Sequence, residues 1–190
     1  MTERVVSNRR VIFTGGPCAG KTTLLTALAE QGYASVHDSA RAIIQDRLRR
    51  GLSARPDPAA FATATMRMDI ERYRQAPTDA DLVFFDRAIP DALCMLNDLG
   101  LLSMAEAGLS LLDFPFSREV FVAPPWEEIY ATDNERDQRF AESVRVYRRA
   151  IEWYGALGFE LIELPCVSVD ERCEFVLQRL RGVYGVQISR

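Results

Sequence analysis

The chain has 190 residues, 48% hydrophobic and 26% charged, the balance of a globular protein able to bury about 70% of its unfolded surface in one domain. Its net charge of −4 weighs against nucleic acid as a bulk partner, because binding a phosphate backbone needs clustered positive charge. No stretch reads as a membrane span, and no apolar core follows the charged start MTERVVSNRR as a secretory signal would require, so a cytoplasmic protein is expected.

In chain order, residues 9–15 (RRVIFTG) read as a short buried strand. Residues 20–31 read as a helix with Leu24, Leu25 and Leu28 on one face. YASVHD (33–38) is a second strand, followed by SARAIIQDRLRRG (39–51), a helix ending in glycine. RPDP at 55–58 marks a loop, and residues 59–76 form a long helix that stops before Pro77. DLVFFD (81–86) is apolar enough for burial on both faces of a parallel sheet. A helical region punctuated by Pro90, Gly100 and Gly108 leads to a fourth strand, REVFVA (118–123). The polar, turn-rich stretch 124–139 precedes a helix running to about Leu157, then a fifth strand, FELIELP (159–165), and a last helix, SVDERCEFVLQRLRG (168–182). Strands alternating with helices predict a three-layer α/β fold, an open parallel sheet with helices on both faces, as a single domain over residues 1–190.

The four cysteines, Cys18, Cys94, Cys166 and Cys173, show no CxxC pair and no metal-ligand spacing. The lone His37 does not complete a zinc site, so reduced thiols are expected.

The chain contains a single lysine, Lys21, against 22 arginines. It stands in Gly15-Gly16-Pro17-Cys18-Ala19-Gly20-Lys21-Thr22-Thr23, which matches G-x-x-x-x-G-K-[ST] between a predicted strand and a predicted helix, the context that motif requires. Small residues let backbone N–H groups close around a polyphosphate, and the helix N-terminus adds partial positive charge. A compact ammonium reaches the β- and γ-phosphates from inside such a loop, whereas a planar guanidinium has the wrong bulk and donor geometry. Thr22 is the candidate hydroxyl ligand of Mg²⁺. Asp86, at the end of its strand, is the candidate carboxylate that orients the ion through water.

These residues, with Asp38 before SARAII, FFDRAIPD, PPWEEIY with DNERDQR, and ELPCVSVDERCEFVL, resemble the AAA_28-type P-loop ATPase and kinase-like family. That family is related to nucleoside and nucleotide kinases and to the ribosylnicotinamide kinase domain, and the likeness covers nearly the whole chain. The resemblance implies strand order 2-3-1-4-5 and an arginine-bearing lid over the phosphates, at about residues 126–140. It implies that Asp38 occupies the place of a carboxylate near the acceptor hydroxyl, although relatives commonly have Glu there and an N-cap of the next helix is the alternative. Arg87 matches the arginine of an Asp-Arg pair that contacts phosphates or positions the acceptor, with an ion pair to Asp91 as the alternative. Arg136 and Arg139 resemble lid arginines that neutralise the transferring group, and pairing with Glu135 and Glu142 on a surface helix is the alternative. Trp126 reads as a packing anchor ahead of a base-stacking residue, and residues 166–169 resemble the loop bordering the nucleotide base.

The leading expectation is a small-molecule kinase that transfers the γ-phosphoryl group of ATP, with Mg²⁺, to a nucleoside-like or other small hydroxyl or phosphate acceptor. The alternative is a regulatory ATP- or GTP-binding NTPase switch acting through a protein partner. With no second lysine there is no N/T-K-x-D guanine-reading motif, yet main-chain contacts could still read GTP. A DNA-binding or motor ATPase is disfavoured by acidity and size, and the sequence implies no oligomeric state.

Overall fold

Apolar side chains on both faces of the central strands dictate the architecture. In β1 (Arg10–Gly15), Val11 and Phe13 point to one side and Ile12 to the other, and all three are fully buried. In β3 (Val83–Asp86) and β4 (Glu119–Ala123), Phe84 and Phe121 join the first side, while Val83, Phe85, Val120 and Val122 join the second. A sheet that is apolar on both faces must be covered twice. The computed structural model describes residues 9–54, 56–130 and 139–184.

The sheet has five parallel strands in the order β2-β3-β1-β4-β5, as the family resemblance implies. Its edges are β2 (Ala34–Val36) and β5 (Glu160–Glu163), which are less buried than the three central strands. One face is covered by α1 (Lys21–Glu30), through Leu24, Leu25 and Leu28, and by α7 (Val169–Tyr184), through Val176, Leu177 and Leu180. The other face receives Tyr73 of α3 (Pro58–Gln75), Ile89 and Leu93 of α4 (Ile89–Asp98), Ala107 of α5 (Met104–Leu111), and Trp153 and Tyr154 of α6 (Phe140–Ala156). The remaining helix, α2 (Ser39–Arg49), buries only Ser39.

Two expectations are corrected. Pro58 belongs to α3 rather than to the preceding loop: its missing N–H is harmless in the first turn, and Asp57 caps that turn through the Ala60 N–H at 2.9 Å. Gly108 lies within α5 instead of ending a helix, because a Ser103–Glu106 capping box sets that helix's start further upstream. Register brings Gly15 beside Ala123 and Phe13 beside Asp86, so the carboxyl ends of β1, β3 and β4 converge. Chain order reverses there, with β1 between β3 and β4, and in open α/β sheets ligands bind at such a switch point.

Candidate phosphate-loop site

The loop from Gly15 to Gly20 leaves β1 and turns into α1, and its glycines are set by close approach. Gly15 has φ +121°, and a Cβ on it would strike the Ala123 carbonyl oxygen. A Cβ on Gly16 would strike Ser143 of α6, whose hydroxyl donates to the Pro17 carbonyl at 2.9 Å. On the other side, Arg172 of α7 donates from Nη1 to the Ala19 carbonyl at 3.1 Å. The loop is thus held by a helix from each layer. Cys18 adopts φ +57°, a left-handed conformation uncommon for a side-chain-bearing residue.

Lys21 opens α1 and is only 6% exposed. Its ammonium donates to the Gly16 carbonyl at 2.5 Å and lies 3.5 Å from that of Gly15, so the charge sits inside the loop that the sequence assigns to phosphate. Thr22 donates from Oγ1 to Asp86 Oδ2 at 2.7 Å. Asp86 is 2% exposed, and its other oxygen, Oδ1, is buried without a hydrogen-bond partner among the described residues. Thr23, next on α1, lines the cavity over the loop.

Arg87 follows directly, with φ +62°. Its Nη2 donates to the Gly15 carbonyl at 2.8 Å, Nη1 donates to Asp91 at 3.2 Å, and Nε lies 3.5 Å from Asp38 Oδ2. Burial works against its charge, but the carboxylates of Asp91, Asp38 and Asp86 outweigh burial and raise its pKa above the ordinary value. Asp38 has the N-cap geometry of the alternative reading: Oδ1 caps α2 by accepting the Arg41 N–H at 3.2 Å, while Oδ2 faces Arg87. The Arg87–Asp91 pair is likewise present. Arg139 is exposed at the N-cap of α6, one turn before Ser143, and Arg136 lies outside the described residues.

Sequence reasoning missed the polar residues that organise this site. Asp91 accepts from Thr14 at 2.6 Å, from Tyr154 at 2.6 Å, from the Ala88 N–H at 3.0 Å and from Arg87. Burial, reinforced by Asp91, raises the pKa of the Tyr154 hydroxyl and keeps it a donor. Only the four-residue spacing from Arg87 hinted at Asp91. Ser143, Tyr154 and Arg172 come from distant helices and leave no local mark. Beside Asp38, the carboxyl of Asp69 on α3 meets Ser39, and Arg72 donates to the Ser39 hydroxyl at 3.3 Å and to the His37 carbonyl.

A cavity of about 470 Å³ opens over the loop, between residues 18–23, Trp126, Ile129, residues 167–169 and Arg172. Among the described residues, no cluster of three His, Cys, Asp or Glu side chains could hold a metal, and no helix is long and apolar enough to cross a membrane.

Solved structures with the same fold include thymidylate kinase from Candida albicans (TM-score 0.67, 12% identity, 93% of this chain and 92% of that one). They also include the NadR protein in complex with NR (0.65, 16% identity, 97% of this chain and 54% of that one). The deoxyadenosine kinase of M. mycoides with bound dATP has TM-score 0.57 and 12% identity, covering 92% of this chain and all of that one. This chain therefore spans about half the length of NadR. No curated protein matches it in sequence. The model of the AAA_28 family, described as an AAA domain, matches residues 10–172, and with its five-stranded P-loop NTPase fold the chain belongs to that family.

Proposed function

We propose that this protein is a kinase that moves the γ-phosphoryl group of ATP to a hydroxyl or phosphate oxygen of a small, nucleoside-like acceptor. The observation that carries the proposal is Arg87, whose guanidinium spans the phosphate loop at Gly15 and the carboxylates Asp38 and Asp91. A plain nucleotide switch needs no fixed cation linking its phosphate loop to a second, acid-lined region. A transferase does, because donor and acceptor oxygens must be held in line while negative charge is neutralised between them.

In this reading the acceptor oxygen attacks the γ-phosphorus, the bond to the β–γ bridging oxygen breaks, and ADP leaves. Asp38 takes the acceptor's proton when that acceptor is a hydroxyl. Lys21 and the α1 N-terminus hold the β- and γ-phosphates, and Arg87 steadies the group in flight. Arg136 and Arg139 remain the proposed lid arginines, and residues 1–190 the proposed single domain.

The residues suit Mg²⁺. Thr22 and Asp86 offer hard oxygen donors, Asp86 Oδ1 has no partner among the described residues, and an ion bound largely by phosphate and water needs no protein cage. Bound there, Mg²⁺ would neutralise the β- and γ-phosphate oxygens. The nucleoside-like acceptor rests on analogy with the kinases of similar fold, and GTP remains a possible donor.

The test is nucleotide turnover against a panel of nucleosides, nucleotides and related small alcohols. Wild type should be strongly stimulated by one class of acceptor. Asp38→Asn keeps a good N-cap but loses the base, so transfer should fall about 10²–10⁴-fold with ATP affinity unchanged. Turnover indifferent to every acceptor, yet stimulated by a protein partner, would replace the kinase with the switch.

A further inference from the structure

Arg172 is the largest charged side chain buried in the described protein, at 2% exposure, and the phosphate-loop motif does not account for it. Two of its three nitrogens are tied, Nε to the Pro165 carbonyl at 2.8 Å and Nη1 to the Ala19 carbonyl at 3.1 Å, which fixes the guanidinium plane. Among the described residues, buried Nη2 has no partner stronger than the neighbouring Cys166 thiol, a weak acceptor. An unmet buried donor on a cation is costly, and such groups in native proteins call for an explanation.

The guanidinium carbon lies over the indole of Trp126, 4.7 Å from its ring centroid. Yet Trp126 belongs to neither hydrophobic core, is only half-buried, and otherwise bonds Glu128 through its ring N–H at 3.2 Å. A bicyclic aromatic ring therefore lies over a fixed cation, on the wall of the cavity beside the phosphate loop and outside both hydrophobic cores.

We propose that Arg172 is the platform for the donor nucleotide's base and that Trp126 is its placeholder. The incoming purine displaces the indole and stacks on the guanidinium, and Nη2 donates to an acceptor atom of the same nucleotide. Stacking on a guanidinium asks only for a π-face, so adenine and guanine nucleotides are accepted alike. This rests on the nucleotide site proposed above, but not on phosphoryl transfer.

The test is equilibrium binding of the magnesium complexes of ATP, GTP and inorganic tripolyphosphate, without acceptor, to the full chain. Trp126 fluorescence should change with ATP and GTP but not with tripolyphosphate. The second indole, Trp153, is buried and held by the Pro90 carbonyl at 2.8 Å, so it should contribute a constant background. Arg172→Met also gives up the Ala19 contact that holds the phosphate loop, so it should weaken all three ligands, but the two nucleotides about ten-fold more than tripolyphosphate, and Arg172→Lys, which keeps charge without a plane, should show the same extra loss. Trp126→Leu, which does not disturb the Ala19 contact, should tighten both nucleotides about three-fold or more.

Equal losses for all three ligands in the Arg172 variants would make Arg172 a brace of the phosphate loop and nothing more, and overturn the proposal. Weaker nucleotide binding in Trp126→Leu would overturn the placeholder role, and preference for one purine would overturn the tolerance. If wild type binds none of the three, the nucleotide site itself fails. If binding follows the proposal but no acceptor is phosphorylated, only the kinase reading fails.

Discussion

At Lys21 the choice of cation is a matter of shape. The ammonium sits inside a loop whose carbonyls lie 2.5 and 3.5 Å away, and a forked guanidinium has no room to turn there. Lys21→Ala should nearly abolish turnover while the protein stays folded, and Lys21→Arg should do the same in a chain that otherwise uses arginine for every basic residue. Paired kinetics and thermal melts check this, and full activity in the arginine variant would refute the steric argument. Lys21 was legible in the sequence because a loop of consecutive residues defines its setting. Asp91 was not, since its partners Thr14 and Tyr154 are 77 and 63 positions away and only folding brings them to one carboxylate.

Among the helices, α2 and α3 meet over a polar contact where an apolar one would be ordinary. Asp69, 8% exposed, faces Ser39, with Arg72 beside it and the carboxylates of Asp91 and Asp38 within electrostatic reach. Burial, first, and those two carboxylates lift its pKa to about 7, against the lowering effects of Ser39 and Arg72. A carboxyl whose folded pKa is raised contributes stability that is complete below its unfolded value, near 4, and is lost as pH rises through about 7. Between those limits the folded state binds the extra proton. Stability should therefore fall by up to about 4 kcal/mol across that window. Asp69→Asn, neutral throughout, should flatten this part of the profile. Chemical denaturation of both proteins between pH 4 and 8 measures the difference, and parallel profiles would show that Asp69 does not titrate there. The sequence offered α3 as a long helix, but the polar Asp69 on its inner face could not be told from a surface acid without knowing where Ser39 lies.

For the molecule as a whole, ligand binding and folding are linked, because the site exists only in the folded state. A non-hydrolysable ATP analogue with Mg²⁺ at about 100 times its Kd should add about 2.7 kcal/mol, or about 5–10 °C in Tm for a chain of this size. Asp86→Asn and Thr22→Ala should lose the magnesium-dependent part of that gain, and melts with and without chelator separate it. Gains that match wild type in both variants would move the ion elsewhere. Layering was legible because each apolar run is short, bounded by turn residues and alternates with a helix, and strand order came from the family resemblance. The helices' contribution to the site was not.

That contribution has a consequence for when the loop takes shape. Pro17 is held by Ser143, 126 residues onward, and Ala19 by Arg172, 153 residues onward. Closing such long stretches of chain is entropically costly and comes late in assembly. The eight residues that spell the motif leave the ribosome well before α6 and α7, and their cradle waits for those two helices to dock. A chain interrupted before α6 would carry the signature in its sequence without the two braces that hold the loop in shape.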